Sequence, residues 1–265
     1  MNNISFPKLN ISFDVNPVAI DIPFLGGVRW YGIIIALGIL LAFLYCSVIA
    51  KKEGEKSDTI TDIVLYALPV AVIFARAYYV IFSWENYKDD LSSIYKIWEG
   101  GIAIYGAVIG AVLTAWIYCK AKKLNMLKIF DICCLGLMIG QFIGRWGNFV
   151  NCEAYGGPCS AIWGMSINGG YPVHPTFLYE SLWNFTGFVI LSVLHKKRPF
   201  YGYTFFNYLS WYGVGRFFIE GLRTDSLYMG GMRISQIVAI VCVIVGICAL
   251  SYLSEKNIDR RGTRE

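Results

Sequence analysis

Seven apolar stretches, at about 30–50, 60–82, 101–119, 129–150, 176–194, 203–221 and 234–253, recur along this chain of 265 residues. A hydrocarbon core about 30 Å thick takes roughly 20 helical residues to cross, and each stretch reaches that length. Lipid offers no hydrogen bonds to the backbone, so only helices and closed barrels span it. The stretches run on without the two-residue alternation and frequent turns of a barrel. The expected fold is therefore an all-α integral membrane protein with seven transmembrane helices. Charge agrees, because only 15% of the residues are charged, where a soluble domain carries about a quarter.

Basic residues set the expected orientation. Lys51, Lys52 and Lys56 follow the first stretch, and Lys120, Lys122, Lys123 and Lys128 the third. Lys196, Lys197 and Arg198 follow the fifth, and Lys256, Arg260, Arg261 and Arg264 the seventh. The opposite connectors hold only Lys8, Arg29, Lys88, Lys96, Arg223 and Arg233. By the positive-inside bias the N-terminus lies outside and the C-terminus in the cytoplasm. That bias also accounts for the net charge of +5 without a nucleic-acid partner.

One membrane domain is expected over 1–265, with an outer arm at 1–29, an outer loop at 151–175 and a basic cytoplasmic tail at 254–265. Residues 1–28 lack the basic start and apolar core of a cleavable signal peptide. Their Phe6, Ile11, Phe13, Ile20, Ile22 and Phe24 suit either the outer interface or a plain extramembrane arm.

Charges inside the stretches point to a site. At 1.5 Å per residue, Arg76 and Arg145 fall roughly 24 Å beyond the inner starts of their helices, and Arg216 roughly 20 Å beyond its own. His174 and Glu180 enter the fifth stretch from outside, Glu153 follows the fourth, and Glu220 closes the sixth. Tyr31 opens the first and Tyr105 lies near the outer start of the third. All belong to the outer half, and ionised groups at such depth mark functional sites unless a partner explains them. Some partners are at hand. Arg76 could equally pair with a carboxylate between helices, and Arg216 and Glu220, spaced i, i+4, could satisfy each other. Glu180 reads as an anchor for another group. Asp62 and Asp131 open outward-running helices, where a carboxylate suits the positive end of the dipole.

Eight cysteines form no metal pattern. Cys46, Cys119, Cys133, Cys134, Cys242 and Cys248 sit in apolar stretches as small hydrophobes. Cys152 and Cys159 fall in the outer loop, where spacing leaves a disulfide open. With two histidines, one of them (His195) in a basic inner connector, neither a metal site nor a cofactor is expected.

One segment is specific. Gly144, Arg145, Gly147, Asn148, Phe149, Asn151, Glu153 and Gly156 fall within thirteen residues, and their pattern resembles the signature of the bacterial prolipoprotein diacylglyceryl transferases. Arg29-Trp30-Tyr31-Gly32, Trp98-Glu99-Gly100-Gly101, His174-Pro175, Leu178-Tyr179-Glu180, and Arg216 with Glu220 and Arg223 extend the likeness over about 29–251. The resemblance implies transfer of the diacylglyceryl group of phosphatidylglycerol to the thiol of a lipobox cysteine in a prolipoprotein, forming a thioether and releasing glycerol phosphate. It implies a multi-pass protein of the bacterial cytoplasmic membrane, with its site near the outer leaflet and the membrane lipid itself as a substrate.

The residues expected to act are Arg145, Arg216, Tyr105, Glu153 and His174. Binding falls to Arg145, Asn148, Asn151, Gly156, Tyr31, Arg216 and Glu220. Guanidinium suits the phosphodiester because its planar fork stays charged and donates to two oxygens. Two positions depart from the family. Tyr105 stands where many members carry histidine, and tyrosine, with an ordinary pKa of about 10, is a poor base. Phe177 replaces a polar residue after His174-Pro175. The proton acceptor is left among Glu153, Glu180 and His174. The alternative from another class is a transporter or channel for a small anion, although the broken helices and inverted repeats of transporters are missing here.

Overall fold

Ile4 and Phe6 alternate with polar residues, as do Ile11, Phe13 and Val15, and between them Pro7 and a left-handed Asn10 (φ +53°) turn the chain. That pattern makes an antiparallel hairpin of β1 (Asn2–Phe6) and β2 (Ile11–Val15), with Ile4 opposite Phe13. β3 (Val18–Ile20) pairs with β4 (Val28–Arg29). These strands correct the all-α expectation within a predominantly helical chain. The computed structural model describes residues 1–21 and 27–262, with 99 and 258–262 described by backbone alone. Ile22 and Phe24 of the arm, the side chains of Glu99, Arg260 and Arg261, and Arg264 lie outside the described residues.

The apolar stretches become α1 (Trp30–Lys52), α2 (Thr59–Phe82), α3 (Ile104–Lys122), α4 (Met126–Asn151), α5 (Thr176–Lys196), α6 (Tyr203–Glu220) and α7 (Ile234–Gly262). Three short strands intervene: β5 (Ser166–Ile167), β6 (Tyr228–Met229) and β7 (Met232–Arg233). Six of the helices are long and apolar enough to cross a membrane. The exception is α6, whose 18 residues include Asn207, Ser210, Arg216 and Glu220. α7 runs past the expected end at 253, so much of the expected tail continues the helix. α3 begins at Ile104 rather than 101, because Gly100 and Gly101 adopt φ of +94° and +74°, a region open mainly to glycine.

The chain divides into two compact units, Cys46–Ile129 and a second made of Met1–Tyr45 with Phe130–Glu265. In the 46–129 unit α2 packs on α3, where a Cβ on Gly110 would lie 2.9 Å from that of Phe74. Tyr118 donates to Asp62 at 2.8 Å, so that carboxylate ties two helices together besides opening its own. Buried Arg76, for which a carboxylate partner is one of two readings of the sequence, bonds backbone carbonyls among the described residues. It donates to the carbonyls of Ser93, Ile94, Gly100 and Gly101 at 2.7–2.8 Å and lies over the Tyr87 ring. The glycine turn presents carbonyls that no helix uses, and one guanidinium collects them.

In the larger unit, Cys134, Leu135, Met138, Leu191 and Tyr208 form a core of α4, α5 and α6. Trp183 and Trp211 stack at 4.4 Å, and each indole donates to the other's carbonyl at 3.0 and 3.1 Å, which satisfies both N–H groups without water. Asp131 has no exposed surface and accepts from the amides of Gly202 and Phe205 at 2.8 Å. Its carboxylate therefore serves the start of α6 rather than the first turn of its own helix, and Arg198 is 3.4 Å away. At the other end of α4, β1 joins β5 in a three-stranded sheet ordered β2-β1-β5. Ile4, fully buried, packs there with Met165 and Phe177. Phe177, which departs from the family pattern, thus serves the core.

Candidate active site

The larger unit gathers most of the expected residues around two carboxylates. Glu180, in the second turn of α5, is 5% exposed and Glu220, at the end of α6, 2%. Burying a carboxylate requires nearby cations, and three arginines supply them. Arg145 of α4 meets Glu180 at 2.6 Å, and Arg216 of α6 meets the other Glu180 oxygen at 3.2 Å. Arg216 also pairs with Glu220 at 2.7 Å, the i, i+4 contact expected, and lies 3.4 Å from the Ser235 hydroxyl. Arg223 approaches Glu180 at 3.8 Å and Glu220 at 4.0 Å, and grips Asp225 through two nitrogens at 2.9 and 2.7 Å. That pair of hydrogen bonds from Arg223 holds the Asp225 carboxyl below its ordinary range. Three guanidiniums thus face two buried carboxylates, and half-exposed Asp225 offsets the excess on one side only.

Arg145 is the most accessible of the three, with 26% of its side chain exposed against 15% and 13% for Arg216 and Arg223. One of its terminal nitrogens goes to Glu180 and the other donates to Asn148 at 3.1 Å. A guanidinium has five N–H donors, so donors are left over for an anion. Asn148 passes the contact on, donating at 2.8 Å to Glu153. Glu153 is exposed and lies just beyond α4. Tyr31 of α1 completes this face: a Cβ on Gly147 would lie 2.8 Å from its ring, and the charges of Glu153 and Arg145 both act on its phenol.

Gly156 sits where three backbone segments meet. Its amide donates to the His174 carbonyl at 2.9 Å, and a Cβ there would come 2.7 Å from that of His174 and 2.8 Å from the Leu222 carbonyl. His174 turns to Tyr179, whose hydroxyl is 3.2 Å from Nδ1 and accepts from Trp163 at 2.7 Å. Asn151, the last residue of α4, is half-buried and makes no side-chain bond to the network among the described residues. Tyr105 belongs to the 46–129 unit, in the first turn of α3, with its ring 6.3 Å from that of Tyr78. The sequence alone marks Glu180 mainly as an anchor, places Arg223 in the family likeness but not among the site residues, and does not single out Asp225. The order Glu220-x-x-Arg223-x-Asp225 was visible, but not its convergence on α5.

Cys152 and Cys159 are free thiols. Burial pushes the Cys152 thiol up, which lowers its thiolate fraction. Among the described residues no cluster of His, Cys, Asp and Glu could hold a metal. Replacement of all eight cysteines by alanine or serine is expected to leave the site's activity measurable while lowering the unfolding temperature through cavities at Cys46, Cys119 and Cys134. Loss of activity in folded, cysteine-free protein would assign a thiol of the chain to the chemistry.

A partly exposed guanidinium with N–H donors to spare, near an exposed carboxylate, can hold a phosphodiester, stabilise a departing phosphate and accept a proton. Residues 17–252 match the family described as prolipoprotein diacylglyceryl transferase. A protein of Finegoldia magna is 49% identical over 83% of this chain and 89% of its own length. Proteins of Clostridioides difficile and Halalkalibacterium halodurans are each 46% identical over 87% of this chain, covering 92% and 84% of their own lengths. All three are named phosphatidylglycerol–prolipoprotein diacylglyceryl transferase. The anion-transporter alternative draws no support from them.

Proposed function

The chain belongs to the prolipoprotein diacylglyceryl transferase family, and from that membership we propose how it works on phosphatidylglycerol and a prolipoprotein. It is a transferase of lipoprotein biosynthesis. The lipid's phosphodiester docks on the spare donors of Arg145, with Arg216 adding charge from behind. The lipobox thiol gives its proton to Glu153, and the sulfur attacks the glyceryl carbon that carries the phosphate ester. A C–S bond forms as the C–O bond breaks, and the electron pair leaves with glycerol phosphate. The observation that carries this reading is Arg145, bound on one side by Glu180 and Asn148 and open on the other beside Glu153.

Glu153 takes the base role over its rivals on geometry. Glu180 has both oxygens committed to arginines, and His174 faces Tyr179. Asn148 separates Glu153 from Arg145 while holding both in place. Tyr31 orients the headgroup, and Tyr105 serves a hydrogen-bonding role towards lipid. Asn151 and Gly156 shape the loop after α4. Glu153→Gln should slow transfer by about 10²–10⁴-fold, the usual worth of a general base. Part of the rate should return as pH rises through the peptide thiol's ordinary pKa of about 8.5. An unchanged rate at neutral pH would move the base elsewhere.

We read α6 as a seventh span, its charges covered by α5 and α7, with the N-terminus outside the bacterial cytoplasmic membrane and the site near the outer leaflet. Asn168→Cys should then label in intact cells with an impermeant thiol reagent, and Lys197→Cys only after lysis. The reverse pattern would invert the topology. For the activity itself, expression in cells depleted of their own diacylglyceryl transferase should restore lipoprotein processing, and Arg145→Ala should not. Unprocessed precursor in the presence of well-expressed wild-type protein would count against the proposal.

A further inference from the structure

Arg233 belongs to none of the motifs above. It ends β7, thirteen residues beyond Glu220, and its guanidinium spans the turn that follows α6. One terminal nitrogen donates to the carbonyl of Glu220, the other to the carbonyl of Arg223 at 2.9 Å, and Nε to the Tyr228 hydroxyl at 3.1 Å. Its guanidinium carbon also lies 5.7 Å from the centre of the Tyr228 ring. The hairpin delivers this contact, since β6 and β7 set Tyr228 opposite Arg233 and close through Gly230 and Gly231 at φ of +57° and +82°.

Both carbonyls belong to residues whose side chains enter the cluster. Glu220 holds Arg216 at 2.7 Å, and Arg223 reaches Glu180 at 3.8 Å. Glu180 in turn holds Arg145 at 2.6 Å. A cation on the last carbonyl of α6, that of Glu220, also suits the negative end of its dipole. Lysine could meet either carbonyl as a point charge, but it lacks the planar fork that meets both.

We propose that Arg233 is a positioning residue for the transfer reaction, fixing the end of α6 so that Glu220 and Arg223 hold Arg216 and Glu180 in place. The inference rests on the transferase reading. It is tested with the purified full-length protein by measuring kcat, and KM for phosphatidylglycerol and for a lipobox peptide separately, in wild type, Arg233→Ala and Arg233→Lys, alongside thermal unfolding. The expected result is a kcat lowered by about 10²-fold in Arg233→Ala, the scale of a 1 Å misplacement, with both KM values close to wild type. Arg233→Lys should recover part of the loss. Should the alanine variant fail to fold, a folded lysine variant with reduced kcat supports the inference, and one with full kcat overturns it. A folded alanine variant with wild-type kcat, or with its loss confined to one KM, also overturns it. Inactive wild-type protein would fail the transferase reading and this inference with it, whereas active wild type with unaffected variants fails this inference alone.

Discussion

Arg145→Lys is expected to insert and fold, yet to transfer the diacylglyceryl group about 10²–10³ times more slowly at saturating lipid, the range found when one donor to a developing oxyanion is removed. Lysine keeps the positive charge beside Glu180. It cannot reach Glu180 and Asn148 at once, as the guanidinium does at 2.6 and 3.1 Å, and still present two parallel donors to a phosphate. The loss should fall on kcat, because the fork matters most as charge gathers on the leaving oxygen. Turnover with phosphatidylglycerol and a lipobox peptide, beside a thermal unfolding curve, checks it. Near-normal kcat would remove the phosphate-clamp role, and an unfolded variant would make Arg145 a structural residue.

Glu180→Gln should be the most damaging change to stability among the cluster residues. Glu180 is 5% exposed and faces Arg145, Arg216 and Arg223, so neutralising it leaves Glu220 alone to balance the buried side of three cations. Removing one partner of a buried ion pair costs about 3–5 kcal/mol, and a marked fall in unfolding temperature is expected together with loss of transfer. Glu180→Asp should fold better and stay slow, because the shorter arm reaches Arg145 or Arg216 but not both. A glutamine variant with wild-type stability and turnover would show that the carboxylate is dispensable and that the cluster is held some other way.

Much of the fold could be read from the chain because lipid imposes length and polarity on each helix, and all seven stretches became helices. What went unread was built by contacts distant in sequence. The hairpin at 2–15 carries a legible alternation of Ile4 and Phe6 with Ile11 and Phe13, but an apolar segment ahead of a membrane helix also fits the interface. Its pairing to β5 joins residues about 160 apart. Arg76 left an ion pair open as one reading because a charge in an apolar helix asks for a partner, and the carbonyls of Gly100 and Gly101 are among the partners it found. Arg145 and Asn148 stood out because they share one turn of helix with glycines. Glu180 did not, because its meaning lies in how α4, α6 and the turn after α6 bring their arginines to α5, and spacing along one helix carries no sign of that.

The central claim is that the Arg145 face holds phosphatidylglycerol for attack by a thiol that the enzyme does not own. The direct measurement incubates the purified protein with phosphatidylglycerol and a synthetic lipobox peptide, then weighs the peptide and assays glycerol phosphate. The account predicts a peptide heavier by one diacylglyceryl group, resistant to reductants as a thioether must be, with an equal amount of glycerol phosphate released and neither product formed from a peptide whose lipobox cysteine is serine. A peptide of unchanged mass in the presence of folded protein and lipid, or lipid consumed without glycerol phosphate, would contradict it.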